Sequence, residues 1–351
     1  MKKEIVIGDK KIGSQYPTFV VAEMSGNHNQ SLVRAKDLIR AAKEAGADAV
    51  KIQTYTADTI TLNSDKPFFY TEEGGLWEGQ TLYELYQKAY TPWEWQPELK
   101  KYADELGILL FSSPFDETAV DFLEKMDVPA YKIASFEIND VGLLRKVART
   151  GKPILISTGI ADMSDIALAL QVCKEEGNES VVLLKCTSAY PSPYDQMNLK
   201  MIPNMKETFG SLVGLSDHSM GDEVAIAAVA LGANVVEKHF TMFRSDGGVD
   251  SDFSMEASEM KEMIEHIRNV EKALGIVDYS LSDGQKRERR FSRSLFVVAD
   301  MKKGDVISRD NVRSVRPGMG LHTKYLEEII GKKVTRDLEY ATPLRYGDIE
   351  W

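Results

Sequence analysis

Cysteine is scarce in this chain: its 351 residues include 2, Cys173 and Cys186. Two cysteines this far apart make neither a disulfide framework nor a paired-cysteine metal knuckle. Reduced thiols in a cytosolic protein are the simple reading. Histidine is nearly as scarce, with 5, so an imidazole set among other polar groups is informative. No apolar run reaches the roughly 18 residues of a membrane helix. The start, MKKEIVIGDK, has two lysines but no apolar stretch or cleavage site behind them, so no export signal is expected. Positive charge is also in deficit. The 43 basic and 54 acidic side chains leave a formal net charge of −11. That disfavours a nucleic-acid partner and adsorption to an anionic membrane. An acidic protein that binds an anion must gather cations locally, which makes inward-facing lysines worth tracing.

Apolar side chains make up 43% of the chain and charged ones 28%, as expected for a soluble globular protein with a sizeable core. The length suits one large domain and a small one. The N-terminus predicts a hairpin: EIVIG, a turn at Asp9-Lys10, then KIG. Eight short apolar runs follow, at residues 18–25, 48–55, 107–114, 130–135, 152–159, 180–188, 211–218 and 234–241. Each is too short for an ordinary helix. Helical patterns separate them. In SLVRAKDLIRAAKEAG, Leu32, Ala35, Leu38, Ile39 and Ala42 form one stripe, with Ser31 as N-cap and Gly46 after the end. DETAVDFLEKM, DVGLLRKVART, DMSDIALALQVCKEEG and GDEVAIAAVALGAN repeat the scheme. Strand–helix alternation repeated eight times predicts an α/β fold, a closed (β/α)8 TIM barrel rather than an open sheet. The N-terminal β-hairpin would plug its bottom.

Two stretches depart from this rhythm. The connection at 56–106 is long and rich in aromatics and glycine, as lids and binding loops are; a packed helical excursion is the other reading. After a helix at 255–274, the chain turns polar. The domain reading is a barrel over 1–280, a linker over 281–292 and a short, turn-rich, β-like module over 293–351. A module of that size is marginal alone and is expected to dock on something.

In such barrels chemistry sits at the C-terminal strand ends. Polar residues collect there: Glu23; Lys51 and Gln53; Ser112 and Ser113; Lys132 and Ser135; Ser157 and Thr158; Ser188 and Tyr190; Ser216, Asp217 and His218; Glu237 and His239. Strand side chains alternate, so Glu237 and His239 share a face, as do Lys51 and Gln53, and Ser216 and His218. A lone buried lysine costs several kcal/mol unless compensated. Two of them beside several hydroxyls favour a phosphate or carboxylate pocket. His218 and His239, on adjacent strands seven and eight, are a candidate pair for one divalent cation, although each alone reads first as a polar core or surface residue. Glu237 would orient a ligand or act as one. Alternatives stay open for the rest. Glu23 could simply pair with a barrel lysine, Lys132 could form a Schiff base, Asn27-His28-Asn29 could only cap a helix entry, and the RPGMG at Arg316 could be a plain turn. Lys185 and Lys238 have the opposite parity and are given no role.

Taken in order, AEMSGNHNQ, AVKIQTY, YKIAS, LISTG, CTSAYPSP, GLSDHS and VEKHFT resemble the sialic acid synthase family, and the tail RSLFVVADMKKGDVISRDNVRSVRPGMG resembles that family's antifreeze-like (SAF) domain. The ordered set spans nearly the whole chain. WEGQTLYELYQKAYTPWEW, FSSPFD and GGVDSDFS are similar to the pseudaminic branch of the family. Neuraminate synthases generally carry a GPDH-like stretch where this chain has Gly248-Val249-Asp250-Ser251.

The resemblance implies a phosphate-releasing condensation of phosphoenolpyruvate with an amino-sugar aldehyde to a nine-carbon 2-keto acid, with Mn²⁺ or Mg²⁺ required. For the pseudaminic branch the sugar is a 2,4-diacetamido-2,4,6-trideoxy-altrose. Glu23 resembles the family's acid–base carboxylate, and Asp250 is paired with it as catalytic. By motif, Lys51, Lys132, Ser135, Ser157, Ser188 and Ser216 would hold phosphoenolpyruvate. Gln53, Tyr190 and Asp250 would hold the sugar or its reacting oxygen, and Glu237 belongs with the substrate-binding set. Arg316 resembles an arginine that the antifreeze-like domain inserts into the barrel of a homodimer partner. Other readings keep a place beside this one: the same chemistry on a neuraminate or legionaminate precursor, a carbohydrate- or ice-binding protein without catalysis, and a Schiff-base aldolase on Lys132.

Overall fold

Two short strands, β1 (Glu4–Ile7) and β2 (Lys10–Gly13), pair antiparallel at the N-terminus. The computed structural model describes residues 1–71 and 77–351. The part of the predicted long connection at 72–76 lies outside the described residues. Eight parallel strands follow: β3 (Phe19–Glu23), β4 (Ala49–Thr54), β5 (Leu109–Pro114), β6 (Tyr131–Ile133), β7 (Ile154–Ser157), β8 (Val181–Cys186), β9 (Leu212–Asp217) and β10 (Val235–Thr241). Each pairs with the next, and β10 pairs with both β9 and β3, so the sheet closes on itself as the alternation predicts. A two-residue strand, β11 (Met255–Glu256), adds to the outer end of β10.

Strands covered on both faces read as nearly unbroken apolar runs, and alternation then separates two environments. On β3, Phe19 and Val21 join Ile5, Ile7 and Ile12 of the hairpin in one buried cluster. Val20 and Ala22 join Leu38 and Ile39 of the helix Leu32–Ala45 in another. The hairpin therefore closes the N-terminal end of the barrel with apolar side chains, which leaves the C-terminal end for polar ones. Gly214 on β9 lets the strands approach: a Cβ there would lie 2.5 Å from the Val235 carbonyl oxygen.

The caps follow the expected chemistry. Ser31 Oγ accepts from the Arg34 amide at 3.3 Å, and Gly46 ends that helix at φ 94°, a left-handed conformation that glycine adopts without strain. Asp116, Asp140 and Asp162 cap the helices that follow β5, β6 and β7. The long second connection carries helices Ala57–Ile60, Leu82–Ala89 and Gln96–Leu106, with Leu85, Leu99 and Ala103 buried. Its later part, 82–106, is thus a packed helical excursion, whereas Leu62, Phe68 and Tyr70 are exposed.

The chain divides into two compact units, Met1–Gly275 and Ile276–Trp351. The second carries a short helix, Asp283–Glu288, then β12 (Ser294–Val297) paired antiparallel with β13 (Val312–Val315), and several isolated bridges. Its own core gathers Leu295, Val297, Ile307, Val312, Ile329 and Leu344.

Candidate active site

The inward side chains at the C-terminal strand ends form one buried, charged cluster. Cross-strand register sets Glu23 beside both Lys51 and His239, and Glu237 beside Ser216. Lys51 Nζ lies 2.7 Å from Glu23 Oε2, 3.3 Å from Ser113 Oγ and 3.9 Å from Glu237 Oε2. Lys132 Nζ lies 3.6 Å from Glu237 Oε1, to which Ser216 Oγ donates at 3.0 Å. Gln53 Nε2 donates to Glu23 Oε1 at 2.8 Å and to Ser25 Oγ at 3.2 Å. Ser25 in turn donates to the Asp250 carboxylate.

These contacts give the two glutamates different proton affinities. Burial works against ionising Glu237, but Lys132, Lys51 and the Ser216 hydroxyl outweigh it and hold its pKa low. Burial dominates at Glu23 and, with the Glu237 charge beside it, raises its pKa in spite of Lys51. Burial also raises Asp250. Burial lowers Lys132, whereas at Lys51 the pull of Glu23 and Glu237 overcomes burial and raises it. One carboxylate held ionised beside one whose proton affinity is raised is the arrangement that acid–base chemistry uses.

A ring of hydroxyls completes the floor. Ser135 Oγ accepts from the Gly159 amide at 3.1 Å. Ser157 Oγ and Ser188 Oγ are buried with no protein partner among the described residues. Unpaired buried hydroxyls are costly unless a ligand meets them. Gly159 makes the space: a Cβ there would meet Ser188 Oγ at 2.1 Å and Ser135 Oγ at 2.7 Å.

The two imidazoles meet edge to face with ring centroids 5.3 Å apart. His218 Nδ1 lies 3.0 Å from the Thr187 carbonyl oxygen; with that nitrogen donating, Nε2 keeps its lone pair. His239 Nδ1 is buried without a hydrogen-bond partner, 3.8 Å from Asp250 Oδ2. Burial and the neighbouring cations push His239 well below the usual imidazole range, so it is neutral. At His218 burial acts the same way, but the Cys186 thiol, the Thr187 carbonyl and Asp217 outweigh it and raise its pKa. Among the described residues no group of three or more His, Cys, Asp or Glu side chains is arranged to hold a metal. The fit is therefore for two protein nitrogens, with water or substrate oxygens supplying the rest. Tyr190 stacks 4.4 Å from His218, and Phe253 lies 4.9 Å from His239.

The structure thus gathers Glu23, Lys51, Gln53, Lys132, Ser135, Ser157, Ser188, Tyr190, Ser216, His218, Glu237, His239 and Asp250 at one barrel mouth. Arg316 belongs to the other unit, exposed on the segment after β13 and without a hydrogen bond or ion pair among the described residues. Several polar strand-end residues face outward and hold the frame instead. Ser112 Oγ lies 2.6 Å from Thr54 Oγ1, and Thr158 Oγ1 donates to the Leu184 carbonyl at 3.1 Å. Lys238 and Lys185 are not surface residues: both are buried. Asn27 and His28 do more than cap. Asn27 Nδ2 ties to the Phe240 carbonyl and to Ser254, and His28 is buried against Trp95.

Sequence reasoning missed Cys186, Glu137 and Trp77. Cys186 has the inward parity of β8 and lies 3.5 Å from Ser135 Oγ. Burial opposes its ionisation, but His218, Ser135 and Lys132 bring the thiol to about 7. Parity alone would have found it, two residues before Ser188. Burial raises Glu137 to about 7 despite Lys132 nearby, and its Oε2 has no partner among the described residues; it sits five residues after Lys132. Trp77, which opens the WEGQTLYELYQKAYTPWEW motif but has no role assigned from sequence, lies 5.8 Å from Tyr190 and donates to the Val249 carbonyl at 2.9 Å.

A closed α/β barrel with buried lysines, carboxylates, hydroxyls and two close imidazoles at its mouth is an enzyme-type architecture. The NeuB family profile matches residues 38–279 and a SAF domain matches residues 292–350. The chain belongs to the NeuB family. It is 47% identical over 342 residues to a pseudaminic acid synthase of Campylobacter jejuni, covering 97% of this chain and 98% of that one. It is 46% identical over 336 residues to a pseudaminic acid synthase of Helicobacter pylori, covering 95% and 98%. Among solved structures, an N-acetylneuraminic acid (sialic acid) synthetase from Leptospira borgpetersenii superposes with TM-score 0.73 at 30% identity, covering 81% of this chain and 94% of that one.

Proposed function

We propose that this protein is a transferase that condenses phosphoenolpyruvate with the open-chain aldehyde of 2,4-diacetamido-2,4,6-trideoxy-β-L-altropyranose, giving pseudaminic acid and phosphate. The observation that carries the reading is near-complete, 47% identity with a relative of that name. The buried cluster supports the chemistry. Lys51 and Lys132, set by Glu237, would hold the phosphoenolpyruvate charges, with Ser135, Ser157, Ser188 and Ser216 donating to its oxygens. Gln53, Tyr190 and Asp250 would hold the sugar with its aldehyde carbon against the enol carbon.

His218 and His239 would hold a divalent cation, Mn²⁺ or Mg²⁺, which when bound acts as a Lewis acid on the aldehyde oxygen. The enol C3 forms the new bond to the aldehyde carbon. Water then adds at C2 and gives one proton to Glu23, whose burial-raised pKa makes it a stronger base than an ordinary carboxylate, and Glu23 hands that proton to the alkoxide left at the former aldehyde oxygen. The C2–O bond to phosphate breaks as the new C2 hydroxyl gives its proton to the departing phosphate, leaving the 2-keto acid.

A homodimer would complete the site, with the partner subunit's Arg316 reaching the sugar; its planar guanidinium meets an acyl carbonyl or a carboxylate with fixed geometry. No helix among the described residues is long and apolar enough to cross a membrane, and a cytoplasmic location would supply phosphoenolpyruvate.

The experiment is phosphate release from phosphoenolpyruvate with purified protein across a panel of amino sugars, with and without EDTA. Release with the diacetamido-altrose, lost on chelation, is expected. Release only with N-acetylmannosamine or the legionaminate precursor would reassign the sugar. Binding without release would favour a carbohydrate-binding protein.

A further inference from the structure

The three buried lysines other than Lys185 in the barrel strands each have a carboxylate within 4.0 Å: Lys51 has Glu23, Lys132 has Glu237 and Lys238 has Asp217. Lys185, on the outward parity of β8, is as buried as a core residue at 9% exposure, yet no described carboxylate pairs with it. Its ammonium donates to the Cys186 carbonyl at 2.6 Å and to Thr187 Oγ1 at 3.0 Å. An ammonium has three N–H donors, so one is left without a protein partner among the described residues. Burying a cation on those terms costs free energy unless an anion meets it.

The space for that anion is present. Lys185 lines an open cavity of about 1120 Å³ along the helix Met201–Phe209, whose lining also reaches Thr158, Gly159 and Cys186 at the ends of β7 and β8. Lys200, Asn198 and Asn204 supply a second cation and two amides, while Ile166, Met205 and Leu231 form an apolar wall. We propose that this cavity is a second ligand site, built on Lys185, for a small organic anion: a carboxylate or phosphate that meets Lys185 and Lys200 and an apolar body that lies on the wall. In a chain of net charge −11, two lysines around one cavity stand against the general field and favour an anion locally. Burial holds the Lys185 pKa down, and a bound anion would restore it.

The site is also wired to the barrel mouth. Thr187 takes the Lys185 N–H on its hydroxyl, and its carbonyl lies 3.0 Å from His218 Nδ1. An anion that draws the ammonium outward loosens its hold on segment 186–188, which carries Ser188 and sets the His218 ring. The ligand therefore acts on the reaction centre without entering it.

The test uses the intact protein without substrates, since phosphoenolpyruvate is itself a small organic anion, and it reads binding at Lys185 and not turnover. Lysine carries a ¹³Cε label, and the Lys185 signal is assigned by its loss in Lys185→Gln. Isovalerate and inorganic phosphate are the two probes. A saturable shift of the Lys185 signal is expected. Isovalerate alone would mark a carboxylate site and phosphate alone a phosphate site. Isovalerate affinity measured by calorimetry should fall at least about tenfold in Lys185→Gln, as expected for loss of a charge-assisted hydrogen bond. It should be largely kept in Lys185→Arg and fall severalfold in Lys200→Gln, an exposed position where folding is not at stake. An unmoved Lys185 signal with both probes, or equal affinity in Lys185→Gln, would overturn the proposal. The His218 imidazole signal should move in the same titration, and a Lys185 shift that leaves it still would sever the link to the barrel mouth.

Discussion

Lys238 Nζ lies 2.7 Å from Asp217 Oδ2, on the face of the sheet opposite the two imidazoles. Each partner is the chain neighbour of a histidine, Asp217 of His218 and Lys238 of His239. The ammonium also donates to the Ser219 carbonyl at 2.7 Å, and Asp217 accepts from the Ser219 amide at 2.9 Å. This buried pair clamps β9 to β10 directly behind the imidazole pair. Removing one partner from a buried ion pair strands the other charge and typically costs about 3–5 kcal/mol. Lys238→Met should therefore lower Tm by many degrees and weaken metal-dependent turnover. An unchanged Tm would mean that the pair is dispensable.

Glu23 is assigned the proton transfer with water, so Glu23→Gln should leave phosphoenolpyruvate binding nearly intact while phosphate release falls by about 10²–10⁴-fold. Burial and the Glu237 charge raise the Glu23 pKa, and the base works only when ionised. The acid limb of kcat/KM should then lie above the ordinary carboxylate range, with activity lost as pH falls through it. A wild-type acid limb that persists unchanged in Glu23→Gln would remove Glu23 from that role.

Gly159 keeps the hydroxyl ring open, because an added Cβ would come within 2.1 Å of Ser188 Oγ. Gly159→Ala forces those hydroxyls apart, and overpacking of this kind costs about 1–3 kcal/mol. The KM for phosphoenolpyruvate should rise much more than the KM for sugar. Equal increases would place Ser135 and Ser188 away from phosphoenolpyruvate.

His28 lies buried, with Nε2 3.2 Å from Thr91 Oγ1, and burial lowers its pKa to about 4 from 6.5. Above pH 6.5 both folded and unfolded chains hold it neutral and it has no effect on stability. Below that the unfolded chain takes up a proton that the folded chain refuses, so stability falls as pH drops from 6.5 towards 4. The loss at the lower end approaches about 3 kcal/mol, since each pKa unit is worth about 1.4. Denaturant melts across that window should show this slope in the wild type, and a His28→Gln variant should show it reduced.

Much of this protein was legible before any coordinates. Short apolar runs alternating with capped helices point to a closed parallel barrel, because a strand covered on both faces needs no polar side and a crossover helix needs one apolar stripe. Parity then sorts Lys51 from Ile52 and Glu237 from Lys238, and the motif order marks the family. Trp77 escaped because it arrives from a long connection whose path is set by packing and not by periodicity. Lys185 and Lys238 escaped for a different reason. Their parity shows that they leave the barrel interior, but whether such a lysine meets water, a carboxylate or a cavity depends on the helices packed outside.

The amino-acid sequence by itself determined which side chains line the barrel and which end of it is polar, because both follow from local alternation and from the direction of the chain. Only the tertiary structure decided how the charges pair. Glu237 answers two lysines from different strands, and Lys185 answers none among the described residues. Closure of the sheet brings strands far apart in sequence within the few ångströms over which buried charges set one another's protonation.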